Sequence, residues 1–437
     1  MTVATEIVER IWARDPTVWT GGEEARWLGW LDEPQRMLEQ LDDVLSFGTD
    51  VVSAGAIDDV VVLGMGGSSL APEVMRRTFA AEHFHVLDTT HPKAIRALES
   101  QLDVERTLFL SASKSGSTLE TRSHTAYFLD RGGQFAAITD PGSDLERFAG
   151  ENGFLRVFHG EPTIGGRYSA LSPFGIVPAV LMGIDATRLL ERAVEMQEAC
   201  RYEEGNPGLE LGQRLGPVSS VGLAGDAGSF GLWMEQLVAE STGKEGKGVL
   251  PAPDDPHAEL HEEVRLPDPY ELGQEFFRWE FAVAVAGSMI GINPFLQPDV
   301  QAAKDKTNEV LAGGDVELEP EASFDELVAQ ARDGDYICIQ AFVDPARVDE
   351  LQTIVDRARE SGHVVTHGLG PRYLHSTGQF HKGGPNTGLF LQVVDDTGDE
   401  LPIPGRDFGF ARLIRAQAAG DYESLKARGR RVARMVI

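Results

Sequence analysis

Cysteine is nearly absent: Cys200 and Cys338 are the only two in 437 residues, too few for a disulfide framework and without the paired spacing of a metal finger. That points to a reducing compartment, taken as the cytoplasm. Long apolar runs are missing as well. The longest, residues 174–184 and 281–292, fall short of the roughly 18 residues that a membrane-spanning helix needs. The N-terminus carries Glu6, Glu9, Arg10 and Trp12 where a signal peptide has a basic start and an apolar centre, so no targeting segment is expected. Basic charge is scarce: 39 Lys and Arg face 69 Asp and Glu, a formal net charge of −30. Such a field repels nucleic acid and anionic membranes, and neither is an expected partner. It also repels small anions, so an anion site must be built from local donors and a few placed cations, with Lys114, Lys244, Lys304 and Lys382 as the lysines to inspect.

What is present is ample core. Hydrophobic residues make up 42% and charged residues 25%, the balance of a folded globular chain, and the length exceeds one ordinary core. Residues 1–50 read as a helical arm with apolar surface at Trp12, Trp19, Trp27 and Trp30. Residues 51–185 alternate strand and helix signals, with strands at 60–63, 85–87, 107–110, 135–138 and 155–158. That spacing predicts a five-stranded, parallel, doubly wound sheet. Residues 186–437 read as a second α/β domain, with strands at 218–223, 336–342, 364–367 and 389–393 and a helical C-terminus from 408 to 437. Residues 248–266, rich in Pro, Asp and Glu, read as a surface loop.

Two small-residue loops follow successive strands. Gly64-Met65-Gly66-Gly67-Ser68-Ser69 follows a continuous apolar run, and Ser111-Ala112-Ser113-Lys114-Ser115-Gly116-Ser117-Thr118 leads into a helix. In an open parallel sheet both lie at the carboxyl edge, where ligands bind. Free N–H groups at a helix start, together with hydroxyls, form a pocket for an anion. Ser113, Ser115 and Thr118 are the candidate oxygen ligands, and the expected ligand is small and phosphorylated. Further along, Gln236 and Glu240 stand four residues apart and share one helical face, with Gly243 as the cap. Gly165-Gly166-Arg167-Tyr168-Ser169 offers a fixed cation beside close-approach glycines. Asn293-Pro294-Phe295-Leu296-Gln297-Pro298 precedes a helix carrying Lys304.

In this order the segments resemble the phosphoglucose isomerase family, whose halves are sugar-isomerase domains. Residues 64–68 resemble its Gly-x-Gly-Gly-Ser loop, 113–121 its phosphate loop, 165–169 its Gly-Gly-Arg-Tyr/Phe-Ser signature and 240–244 its Glu-Ser-x-Gly-Lys segment. Residues 295–304 resemble the Phe-Asp-Gln segment that ends in an active-site lysine, with Leu296 and Asp299 as departures. The arrangement most resembles the isomerase half of bifunctional transaldolase/phosphoglucose isomerases, and a free-standing isomerase is expected.

The resemblance implies interconversion of glucose 6-phosphate and fructose 6-phosphate through an enediol, a step of glycolysis and gluconeogenesis, in a cytoplasmic homodimer with neither cofactor nor metal. It implies Glu240 as the proton-transferring base, Arg167 as stabiliser of the enediolate, and Lys304 near the ring oxygen. Gly67, Ser68, Ser113, Lys114, Ser115, Thr118, Gln236 and Gln297 would bind substrate. A histidine opens the ring in this family, and the chain has no clear Gly-Gln-His segment; His381 is the candidate, with His375 next. His257 and His261, at helical spacing, lack the pattern of a zinc helix.

Three alternatives stay open. One is a dinucleotide enzyme, based on Gly64-x-Gly66 and on Asp88 at the end of the next strand, although it gives the hydroxyl loop no role. Another is a non-catalytic sugar-phosphate sensor. The third is an enzyme that also isomerises mannose 6-phosphate.

Overall fold

The computed structural model describes residues 7–53, 55, 57–225 and 228–437, so residues 1–6 of the expected arm, Glu6 included, lie outside the described residues. The first sheet contains β1 (Asp59–Gly64), β2 (Phe84–Leu87), β3 (Thr107–Ala112), β4 (Gln134–Thr139) and β5 (Val157–His159) in the order β2-β1-β3-β4-β5. Every pair is parallel, as expected. All six residues of β3 and five of the six in β1 and β4 are buried, because a parallel sheet covered on both faces has no solvent side. After β2 the chain returns to the other side of β1 to form β3. The crevice between the carboxyl ends of β1 and β3 is therefore the switch point of the sheet, and the glycine and hydroxyl loops both emerge there.

The strands after residue 186 fall into two further sheets. A three-stranded parallel sheet, β7-β6-β8, contains β6 (Ser220–Ala224), β7 (Leu250–Pro251) and β8 (Leu260–Glu263). Segment 248–266, expected as a loop, supplies two of its strands. Pro251 sits on the edge strand β7, where its missing N–H costs nothing. A four-stranded parallel sheet, β10-β9-β11-β12, contains β9 (Tyr336–Phe342), β10 (Val364–Leu369), β11 (Gly388–Val394) and β12 (Arg431–Val436). The expected C-terminal helix ends at Ala427 and gives way to β12. Arginines at 431 and 434 hide this strand's apolar pattern; they are tied to Asp335 and Gln392 at 2.6 and 2.7 Å.

The N-terminal tryptophans anchor the arm on the helix Leu272–Ile290 and its surroundings. Trp19 donates to Ala284 O at 2.8 Å and Trp12 to Cys200 O at 2.9 Å. The Trp30 ring lies 5.3 Å from Tyr168 and 5.8 Å from Phe277. One continuous apolar core therefore runs from Val8 to Phe295 and sits beneath the Arg167 loop. Among the described residues, no helix is long and apolar enough to cross a membrane.

Candidate active site

Glycine brings three distant segments together. A Cβ on Gly67 would stand 2.0 Å from Gly166 O, and one on Gly66 would stand 2.5 Å from His375 O. Gly66 also has φ +56°, a conformation that glycine adopts without strain. The glycine loop thus works through its backbone, seating the Arg167 turn on one side and His375 on the other. Gly67 and Ser68 are buried in this junction.

Arg167 threads through that seat with 2% of its surface exposed. Its Nε donates to Ser241 Oγ at 2.9 Å, Nη1 to Gln297 Oε1 at 2.9 Å and Glu240 Oε2 at 3.3 Å, and Nη2 to Pro294 O at 2.7 Å and Leu296 O at 3.2 Å. A guanidinium has five N–H donors, so all are engaged. The departure at Leu296 is harmless to this arrangement, since its backbone carbonyl makes the contact. Asp299 is likewise accounted for, held by Gln379 and Arg428 at 2.8 Å each.

Glu240 lies near the end of the helix Phe230–Thr242, with Gly243 as the cap. Burial pushes its carboxyl up from the ordinary range, while Arg167, His375 and Gln236 pull the other way. Gln236, one turn earlier, points its amide at Glu240 Oε2 at 3.5 Å and donates to His375 O at 2.9 Å. Lys244 turns inward to Asn293 O at 2.7 Å, and burial holds its pKa well below the usual lysine value. It braces the segment that Arg167 also grips.

A cleft of about 420 Å³ opens beside this pair, and Thr118, Glu240, Gln297, Lys304 and His375 all line it. His375 Nε2 stands 2.9 Å from Glu120 Oε1, which also accepts from Gln417 Nε2 at 2.7 Å. Thr90 completes the chain by donating to Gln417 Oε1 at 2.7 Å. Burial alone would raise Glu120, but His375, its own amide and Lys304 outweigh that and bring it down to about 2. Glu120 and Gln417 were not singled out in the sequence. The available signal for Glu120 was a carboxylate in the first turn after the hydroxyl loop, next to an anion site it would otherwise oppose.

Several expected residues sit elsewhere. His381 is 1% exposed, with Nδ1 3.1 Å from the Tyr336 hydroxyl and Nε2 3.3 Å from Cys338 Sγ. Burial, with Lys382 and Arg430 nearby, holds its pKa well below the usual histidine value, and its ring packs against Tyr336 and Phe390 rather than facing the cleft. The short helix Gly378–Gly383 turns it toward β9 and β11, whereas His375 precedes that helix and faces the cleft. Lys114 points away too, bound to Asp140 Oδ1 at 2.8 Å and Glu161 O at 3.0 Å. Ser113 Oγ lies 3.1 Å from Thr118 Oγ1 and accepts from the Gly116 amide at 3.2 Å, while Ser115 pairs with Ser117 at 2.8 Å. These bonds shape the hydroxyl loop from within. His261 is on β8 with Nε2 3.0 Å from Asp255 O, so it shares no helical face with His257. Asp88, the acid that the dinucleotide alternative requires, is taken by Arg372 at 2.7 Å through both oxygens.

Residues 32–205 match the family model described as phosphoglucose isomerase; that span contains Gly67, Ser113, Thr118 and Arg167, and Glu240 lies beyond it. Over 272 residues the chain is 32% identical to the glucose-6-phosphate isomerase of Trichormus variabilis, covering 55% of this chain and 50% of that protein. It is 33% identical to the Thermus thermophilus protein of the same name over 267 residues, 55% of this chain and 63% of the relative. The chain thus spans about half the length of the curated relatives it matches. The crystal structure of a glucose-6-phosphate isomerase from Chlamydia trachomatis shares the fold with a TM-score of 0.50 at 18% identity, over 70% of this chain and 78% of that one.

Proposed function

We propose that this chain belongs to the phosphoglucose isomerase family and interconverts glucose 6-phosphate and fructose 6-phosphate by proton transfer within the cleft. The observation that carries the reading is Glu240, a buried carboxylate on the cleft wall, 3.3 Å from the Arg167 guanidinium. The phosphate binds at the hydroxyl loop, where Thr118 and the N-terminus of the helix Leu119–Leu129 meet the cleft. His375, held by Glu120, moves the proton that opens the ring, with Lys304 on the rim beside the ring oxygen.

In the open chain, the Glu240 carboxylate takes the proton from C2. The electron pair left behind forms the C1–C2 double bond as the C1 carbonyl becomes the enediolate oxygen. A proton passes from O2 to O1, and Glu240 returns its own to C1 to leave the ketose. A carboxyl raised by burial suits both steps, because it binds the proton long enough to give it back.

With every donor of Arg167 engaged by protein groups, its contribution to the enediolate is its fixed charge, or Nη1 once substrate displaces the exposed Gln297 side chain. Gln297 then becomes a ligand for a substrate hydroxyl. The reading includes a homodimer and a cytoplasmic location, the latter in keeping with two cysteines that are both free and buried. The test is conversion of fructose 6-phosphate by purified protein in EDTA, with mannose 6-phosphate as a second substrate. Turnover of fructose 6-phosphate supports the reading, and sugar-phosphate binding without turnover contradicts it.

A further inference from the structure

A second cavity of about 340 Å³ lies against the same hydroxyl loop, lined by Ser113, Gly116 and Thr121 where the cleft is lined by Ser117 and Thr118. Arg406 lines both cavities. It is carried by the turn Ile403-Pro404-Gly405-Arg406, which its amide closes by donating to Ile403 O at 3.1 Å. Bridge pairing between Pro402 and Gly409 straps the base of this turn. Arg406 is exposed, and among the described residues its guanidinium has no carboxylate and no hydrogen-bond partner; it stands 5.8 Å from the Phe408 ring.

Nearby Arg415 is bound to Asp315 at 2.8 Å, and Arg412 donates to Gly314 O at 3.1 Å. A second unsatisfied group faces the same space: Thr121 is 1% exposed, and its hydroxyl has no hydrogen-bond partner. The lysine expected to serve the loop, Lys114, is spent on Asp140. Other cations border one space each, Arg122 the second cavity and Lys304 and Lys382 the cleft, whereas the unpaired Arg406 guanidinium stands where the two meet and borders both.

We propose that Arg406, reaching over from the C-terminal part of the chain, binds the phosphate of the substrate and sets the preference for phosphorylated over free sugar. The inference deepens the isomerase reading and rests on it. Hydroxyls alone separate a phosphate from a neutral hydroxymethyl group weakly, whereas a guanidinium adds charge and two parallel N–H donors matched to phosphate oxygens.

The test compares wild type with Arg406→Ala, Arg406→Gln and Arg406→Lys, using fructose 6-phosphate as substrate and inorganic phosphate as competing inhibitor. Arg357→Ala is the control, an exposed arginine paired with Asp325 at 2.6 Å. In Arg406→Ala and Arg406→Gln the KM and the inhibition constant for phosphate should both rise about tenfold or more, with kcat changed less than about threefold. Arg406→Lys should recover part of the loss, and the control should match wild type. Unchanged constants in folded Arg406→Ala or Arg406→Gln overturn the proposal. Calorimetric titration with glucose 6-phosphate separates the two failures. Arg406-dependent binding without turnover overturns the isomerase reading and upholds the phosphate role; no binding by wild type overturns both.

Discussion

Arg167 Nη1 lies 3.3 Å from Glu240 Oε2, and both side chains are almost closed to solvent. The arginine enters from the loop after the first sheet and the glutamate from the helix Phe230–Thr242, so the pair exists only when those two segments pack together. Arg167 also binds the carbonyls of Pro294 and Leu296, which makes it a tie between three segments. Charge and architecture are thus combined in one residue.

Replacing Arg167 with Met leaves a buried carboxylate without its cation and the Pro294 carbonyl without its donor, while Leu296 O keeps Lys244. Breaking one side of a buried ion pair costs about 3–5 kcal/mol, read as a lower denaturant midpoint. Because the arginine pulls the Glu240 pKa down against burial, its loss should also move the acid limb of the kcat/KM profile to higher pH. An unshifted limb in a folded variant would remove Arg167 from the electrostatics of Glu240.

Glu120 contributes stability with a defined pH window. Its folded pKa is depressed from 4.5 to about 2, so the folded state binds the proton less readily than the unfolded chain. The contribution is present above 4.5 and fades as the pH falls toward 2. The stability gap between wild type and Glu120→Gln, measured by urea unfolding, should therefore narrow across that interval. His375→Asn should slow turnover about 100-fold or more if the histidine transfers the ring-opening proton. His381→Asn, altering a residue packed away from the cleft, should change the melting temperature and leave the pH profile in place.

Glu280 behaves in the opposite sense. It is 1% exposed on the helix Leu272–Ile290, and one of its oxygens has no hydrogen-bond partner. Burial raises its pKa well above 4.5, so the folded state holds a proton that the unfolded chain releases. Stability is then lost as the pH climbs above 4.5 toward the folded pKa. Glu280→Gln should be more stabilising at pH about 8 than at pH about 5 by thermal melting; equal effects at both would mean the carboxyl is not held neutral.

The first sheet was legible because its evidence is local. Continuous apolar strands ending in glycine and hydroxyl loops identify parallel βα units, and the turns lie where the strands stop. Glu240 and Arg167 were legible through the segments around them. Which of His375 and His381 faces the cleft was not, since only five residues lie between them and a short helix decides the direction of the second. Lys114 shows the same limit, because its partner Asp140 sits on a different loop. Arg406 stands in a Pro/Gly-rich turn more than 280 residues after the hydroxyl loop, and only the tertiary fold brings the two together. β12 escaped because its arginines pair across the sheet, which no local pattern reveals.

The most direct test follows fructose 6-phosphate in D2O by NMR with wild type and Glu240→Gln. The account predicts that wild type forms glucose 6-phosphate with deuterium appearing at C2, and that the variant still binds the sugar phosphate while conversion and exchange fall together by about a thousandfold. Isomerisation or exchange at the wild-type rate in Glu240→Gln would contradict the assignment of Glu240 as the base.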